Sequence, residues 1–115
     1  LEEFMVSLFT TDVSIAGPVP GAQVVSAHNY PNPFNPTTTV SVEVAGGREV
    51  PLDIDVYGAD GRLVRRLYSG SARPGVFSVV WDGRGESGMP LSSGAYFYSV
   101  RSGAHRATGK MILLR

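Results

Sequence analysis

Residues 83 to 88, GRGESG, carry the spacing G-x-G-x-x-G directly behind an alternating apolar stretch, where a pyrophosphate-binding turn would be sought. Met89-Pro90 and Ser92-Ser93-Gly94 follow in place of a helix, so no helix N-terminus stands ready for an anion, and the stretch reads as a flexible hairpin loop. The only histidines, His28 and His105, sit beside turn-forming residues, with no acid at triad or zinc-motif spacing. Asp53 and Asp55 share one face of an alternating strand and could join Asp60 or Asp82 around calcium. No loop places ligands at EF-hand spacing, however, and a solvated acidic face is the expectation. Trp81 alternates in phase with Phe77 and Val79, which points to filling a core rather than stacking a sugar. No acid–base pair emerges, so the chain is expected to be non-enzymatic, without a metal, a cofactor or a small-molecule substrate.

The elements that position these residues follow from size and patterning. A chain of 115 residues fits one domain with a core that needs neither disulfide nor metal. Ten acids balance ten bases, so no global field favours nucleic acid or an anionic membrane. Cysteine is absent, which excludes disulfides, thiolate metal sites and a thiol nucleophile but leaves the compartment open. The chain opens on Leu1 without a signal-peptide pattern, and no apolar run approaches the ~18 residues that would span a bilayer. It reads as a processed protein or an excised piece.

Val40, Val42 and Val44 alternate with Ser41 and Glu43, and Val50, Leu52, Ile54 and Val56 alternate with Pro51, Asp53 and Asp55. Both read as half-buried strands of period two, with Gly46-Gly47 between them as a hairpin signal. Asp60-Gly61 turns the chain into a strand near Leu63 to Tyr68, where Val64 and Leu67 break alternation and predict a bulge or a sheet edge. Arg62, Arg65 and Arg66 suit a solvated edge there. Strands over Val76 to Trp81, Tyr96 to Arg101 and Arg106 to Leu114 complete the pattern, and Gly, Pro and β-branched residues interrupt every helix-length window. The fold expected is all-β: an antiparallel, immunoglobulin-like β-sandwich of about seven strands without a disulfide.

The stretch NYPNPFNPTTTV, residues 29 to 40, is a stiff lead-in to that sandwich. Each X-Pro step extends the preceding residue and removes an amide donor, and Tyr30 and Phe34 are expected to plug the sandwich end as aromatic anchors. A binding epitope is the alternative.

In order along the chain, NYPNPFNPTTTV, VYGADGRLVRRL, GVFSVVWDGRGESGMPLSSGAYFYSV and the closing TGKMILLR resemble the C-terminal immunoglobulin-like domains of exported bacterial proteins. These are the type IX secretion (Por) C-terminal sorting domains and the closely similar flagellar hook-capping-protein-like immunoglobulin domains. The resemblance runs from about Val24 to Arg115. It implies a secreted or cell-surface protein of a Gram-negative bacterium, in which this domain is a folded export signal read by outer-membrane secretion machinery, or a terminal structural module. By that resemblance the sorting positions are Pro31, Asn32 and Pro33; Gly94 and Tyr96; and Lys110, Met111, Ile112, Leu113, Leu114 and Arg115. Both versions share these motifs, so both readings stand.

Ahead of the resemblance, Leu1 to Thr11 (LEEFMVSLFTT) is apolar on both faces, with Phe4, Val6 and Leu8 on one and Met5 and Phe9 on the other. Such a strand is expected to be buried on both sides, yet SIAGPVPGAQ separates it from the sandwich as a Pro/Gly linker. The expected division is therefore residues 1–23, extension strand plus linker, and residues 24–115, sandwich. Three origins fit the extension: the end of an upstream domain, a strand paired within its own sandwich, or a donor strand completing a neighbouring copy. Donation repeated head to tail builds a pilus-like filament, which makes further copies of the chain the alternative partner.

Overall fold

Alternating β-branched residues and closely spaced turns give this chain strands and no helix among the residues that the computed structural model describes, 23–115. The expected extension strand with Phe4, Met5, Val6, Leu8 and Phe9 lies outside the described residues, as does its linker up to residue 22. Seven strands follow in order: β1 (Gln23–Tyr30), β2 (Thr38–Ala45), β3 (Val50–Gly58), β4 (Leu63–Ala72), β5 (Gly75–Trp81), β6 (Gly94–Ser102) and β7 (His105–Leu113). They form two antiparallel sheets, β1-β2-β5 and β4-β3-β6-β7, and the immunoglobulin-like sandwich expected from the sequence is the fold observed.

The core is the sum of the inward-facing alternates. Val40, Val42 and Val44 of β2 meet Leu52, Ile54 and Val56 of β3, with Val100, Met111 and Leu113 from the other strands, all buried. Removing each such side chain from water contributes about 1.5–3 kcal/mol. Trp81 is fully buried between Phe34 and Tyr96, with ring centroids 5.5 Å from each, and its indole N–H donates to the Arg84 carbonyl at 2.9 Å. The expectation that Trp81 fills the core is met.

Several expectations are corrected. Gly46-Gly47 does not close a hairpin, because β2 and β3 belong to opposite sheets and the chain arches across the core between them. Two strands that face one another through a core carry the same alternation as two paired edge to edge, so pattern alone does not separate the cases. Gln23–Tyr30 forms a strand that alternation does not announce, and it places His28 inside β1 rather than beside a turn. Tyr30 is 76% exposed and plugs nothing, whereas Phe34 is 1% exposed and does.

Asp55 is the sharpest correction. It points away from the core yet is 1% exposed, because Arg66 Nε reaches its Oδ1 at 3.0 Å and Arg101 Nη2 approaches its Oδ2 at 3.6 Å. The two guanidinium groups replace the solvent that an acidic face would otherwise hold. The basic stretch of β4 is accordingly not simply solvated: Arg66 is committed to Asp55, and Arg65 donates to the Arg84 carbonyl at 3.1 Å. The expected edge position and bulge are both present, since β4 ends its sheet and the β3–β4 register slips at Ile54/Asp55 and again at Val56/Tyr57.

Candidate functional site

The lead-in segment and the last strand meet although some 80 residues separate them. Asn32 donates from Nδ2 to the Lys110 carbonyl at 3.0 Å and accepts at Oδ1 from the Ile112 N–H at 3.0 Å. Phe34 continues the pairing through its backbone, with its N–H donating to Ile112 O at 2.9 Å and its carbonyl accepting from the Leu114 N–H at 2.8 Å. A parallel bridge, Phe34 with Leu113, results. Because β7 is an edge strand, these four bonds cover the outward backbone of its last residues, which would otherwise remain a template for pairing. Thr38 anchors the segment from behind, its hydroxyl donating to the Pro31 carbonyl at 2.8 Å and accepting from Asn29 Nδ2 at 3.1 Å.

The third group of residues lies against the same strand. Gly94 pairs with Leu113 and Tyr96 with Met111. Gly94 holds φ at 154°, a backbone geometry that disfavours side chains. The Tyr96 hydroxyl donates to the Ser92 carbonyl at 2.7 Å, and its ring meets Trp81 edge-on. Burial pushes the Tyr96 phenol pKa above its ordinary value, with the nearby Arg115 charge pulling the other way. Arg115 locks the loop beside it: its N–H donates to Ser93 Oγ at 2.8 Å and its guanidinium donates to the carbonyls of Gly83, at 2.8 Å, and Leu91.

The residues singled out by resemblance therefore converge on the edge strand β7 and its neighbour β6, but they divide by exposure. Met111 and Leu113 are fully buried, and Ile112 and Tyr96 are partly so. Pro31, Asn32, Pro33, Gly94, Lys110, Leu114 and Arg115 face solvent. Met111 and Leu113 are therefore out of reach of any partner that meets the folded domain. The sequence reading missed Phe34 as a backbone partner of β7 and missed Ser93, Leu91 and Gly83 as acceptors for Arg115. A parallel bridge and a guanidinium-to-carbonyl clamp leave no periodic signal in sequence.

The GRGESG stretch is no phosphate cradle. Gly83 and Gly88 turn at φ of 76° and 87°, and Leu91 N–H returns to Gly83 O at 3.0 Å. Glu86 N–H donates to Val64 O at 3.0 Å, so the loop is fastened to β4 instead of swinging free. The carboxylates considered for calcium are engaged elsewhere: Asp53 with Ser69 Oγ at 2.7 Å, Asp60 with the Arg62 N–H at 3.0 Å and Asp82 with the Arg84 N–H at 3.1 Å. Among the described residues no three His, Cys, Asp or Glu side chains gather as metal ligands. Nor is any helix among them long and apolar enough to cross a membrane.

Residues 28–105 match the family described as the FlgD Ig-like domain. Among solved structures, the chain is similar to dimeric latent PorU from Porphyromonas gingivalis, with a TM-score of 0.66 and 21% identity, covering 77% of this chain and 9% of that one. It is also similar to FLGD from P. aeruginosa, with a TM-score of 0.55, 22% identity and coverage of 66% and 61%. A third likeness is to PorZ, an essential surface component of the type IX secretion system of Porphyromonas gingivalis, with a TM-score of 0.51, 19% identity and coverage of 77% and 11%. At these identities the likenesses show a shared fold, and the chain spans less than two thirds of each structure. No curated protein sequence matches it.

Proposed function

The chain belongs to the FlgD Ig-like domain family, and from that premise we propose that it serves as a non-catalytic structural module of an exported or cell-surface bacterial protein, acting as a type IX sorting signal. The observation that carries this reading is the convergence of Pro31-Asn32-Pro33, Gly94-Tyr96 and Lys110–Arg115 on the edge strand β7 and its neighbour β6. In this reading the sandwich, residues 24–115, is the unit recognised, and the outer-membrane machinery reads the solvent-facing members: Pro31, Pro33, Lys110, Leu114 and Arg115. Met111, Ile112, Leu113 and Tyr96 act indirectly by holding that edge in shape. Likeness to domains of PorU and PorZ is consistent with the same cellular setting.

The test is export of a reporter fused ahead of residues 1–115 in a bacterium with a type IX system. Deleting residues 110–115 is expected to strand the reporter in the periplasm, but that deletion also removes buried Met111 and Leu113. The informative variant is therefore K110E with L114E, which alters exposed positions alone. Loss of export with an intact fold supports the reading. Normal export of this variant and of the deletion would refute it.

A further inference from the structure

Four strand edges border the sandwich, β1 and β5 in one sheet and β4 and β7 in the other. Three are blocked. Asn32 and Phe34 cover the end of β7. On β4, the backbone N–H of Glu86 bonds Val64 O and its carboxylate accepts from the Arg66 N–H, beside two register slips. β1 is bulged between Val24 and Ser26, its Ala27 carbonyl accepts from the Tyr98 hydroxyl at 3.0 Å, and proline follows it directly.

β5 has none of these devices. Gly75–Trp81 (GVFSVVW) contains no charge and no proline, and it pairs with β2 without a break from Trp81 to Gly75. Its far edge has no backbone partner among the described residues. Val76 and Val80 stand outward, 76% and 60% exposed, on either side of Ser78. A long, flat, apolar edge of this kind is a template for another strand.

We infer that β5 is a docking edge for a second copy of this chain, paired antiparallel about a two-fold axis at Ser78. The sequence there is self-complementary: Val76-Phe77-Ser78-Val79-Val80 reads the same by residue class in both directions. In that register Val76 of each copy faces Val80 of the other on the outer face. Phe77 faces Val79 on the inner face, so the core layers run on across the axis, and apolar cross-strand pairs of this kind stabilise sheets. The charges beyond the strand agree with the same register. Pro74 falls opposite Asp82 of the second copy, which sets exposed Arg73, paired in its own chain with exposed Glu49, diagonally across from that carboxylate, half-exposed beside Arg65 and Arg84, at both ends of the joint. The product is a continuous six-stranded sheet, three strands from each copy. It uses the edge opposite to the one proposed for sorting and does not depend on that reading.

The experiment is sedimentation equilibrium of the full chain over a concentration series, joined to oxidative cross-linking. The chain contains no cysteine, so S78C introduces a single thiol that the two-fold axis brings within disulfide reach of its copy. T108C, on an exposed position of β7, is the control. A species of twice the 12.2 kDa chain mass, with S78C cross-linking and T108C not, is the expected result. V76K/V80K should weaken association roughly tenfold by setting like charges opposite one another, and V76K/V80E should restore it. The cysteine variants change small exposed side chains, S78C at the cost of one exposed bond to Ser41, so the cross-linking result stands whether or not the lysine variant folds. A chain that is monomeric throughout, with S78C uncross-linked, overturns the inference. So does an open-ended polymer that disappears when residues 1–11 are removed, since the edge would then belong to the N-terminal segment.

Discussion

Asn32 holds Ile112 by its N–H and Lys110 by its carbonyl, so that one side-chain amide stands in for an extra strand along the edge of β7. The amide geometry suits the task, since donor and acceptor lie side by side as in a backbone. N32A removes both bonds from an exposed site, and each is worth about 0.5–1.5 kcal/mol net. The expected outcome is a loss of about 1–2 kcal/mol in denaturant unfolding, with the slope unchanged. Hydrogen exchange at the Ile112 amide should quicken in the same variant.

Gly109 lies opposite Tyr98 in the β6–β7 register, and the tyrosine ring occupies the space a side chain would take. A Cβ at position 109 would lie 2.3–2.5 Å from the ring atoms. The ring cannot retreat without breaking the hydroxyl's bond to the Ala27 carbonyl, which ties the two sheets together. G109A is therefore expected to destabilise by about 1–3 kcal/mol, the usual cost of overpacking. Combining G109A with Y98A should recover part of what the two changes cost separately, and a double-mutant cycle of melting curves checks it.

The Asp55 carboxylate is buried, bonded at Oδ1 to Arg66 and approached at Oδ2 only by Arg101. Its hydrogen bond and charge push the Arg66 guanidinium pKa above its ordinary value. R66M leaves the buried carboxylate short of a partner and is expected to lower the urea midpoint relative to the parent chain. D55N in the R66M background should be milder than R66M alone, since a neutral amide is cheaper to bury than an uncompensated charge. Urea unfolding of the parent chain and the two variants decides the matter, and equal losses in R66M and the double variant would count against it.

Much of this architecture was legible because period-two alternation is a direct consequence of a strand with one face in water. The valines of β2, the apolar run of β3 and Trp81 of β5 were placed on their inward faces from spacing alone. What remained illegible is equally physical. Pairing partners are not written in alternation, so the arch at Gly46-Gly47 read as a hairpin. Asp55 is buried by side chains from β4 and β6, at positions 66 and 101, and no local pattern announces that. At the candidate site, resemblance supplied the residues, but only the fold shows that Met111 and Leu113 face inward while Lys110 and Leu114 face out. Tyr30 ends β1 on the same outward face as His28, whereas Phe34 lies in the bridge to β7 and turns inward, and a run of Asn and Pro announces neither.

Tyr96 gives the domain an alkaline sensitivity whose sign follows from its surroundings. Burial beneath Trp81 and the Ser92 loop favours the neutral phenol, so the folded-state pKa lies above the ordinary tyrosine value of about 10. Below that value both states hold the proton and this group adds no pH dependence. As pH rises past about 10 the unfolded chain ionises first, and stability falls until the folded-state pKa is also passed. Arg115 lowers that pKa, so R115A should raise it and widen the window of decline. Y96F should be less stable near neutrality by about 1 kcal/mol through the lost bond to the Ser92 carbonyl. It should also show a shallower alkaline slope than the parent chain. Denaturant midpoints measured across the alkaline range for the three proteins, with phenolate absorbance followed in parallel, test the assignment. Identical slopes in Y96F and the parent would move the sensitivity to another group.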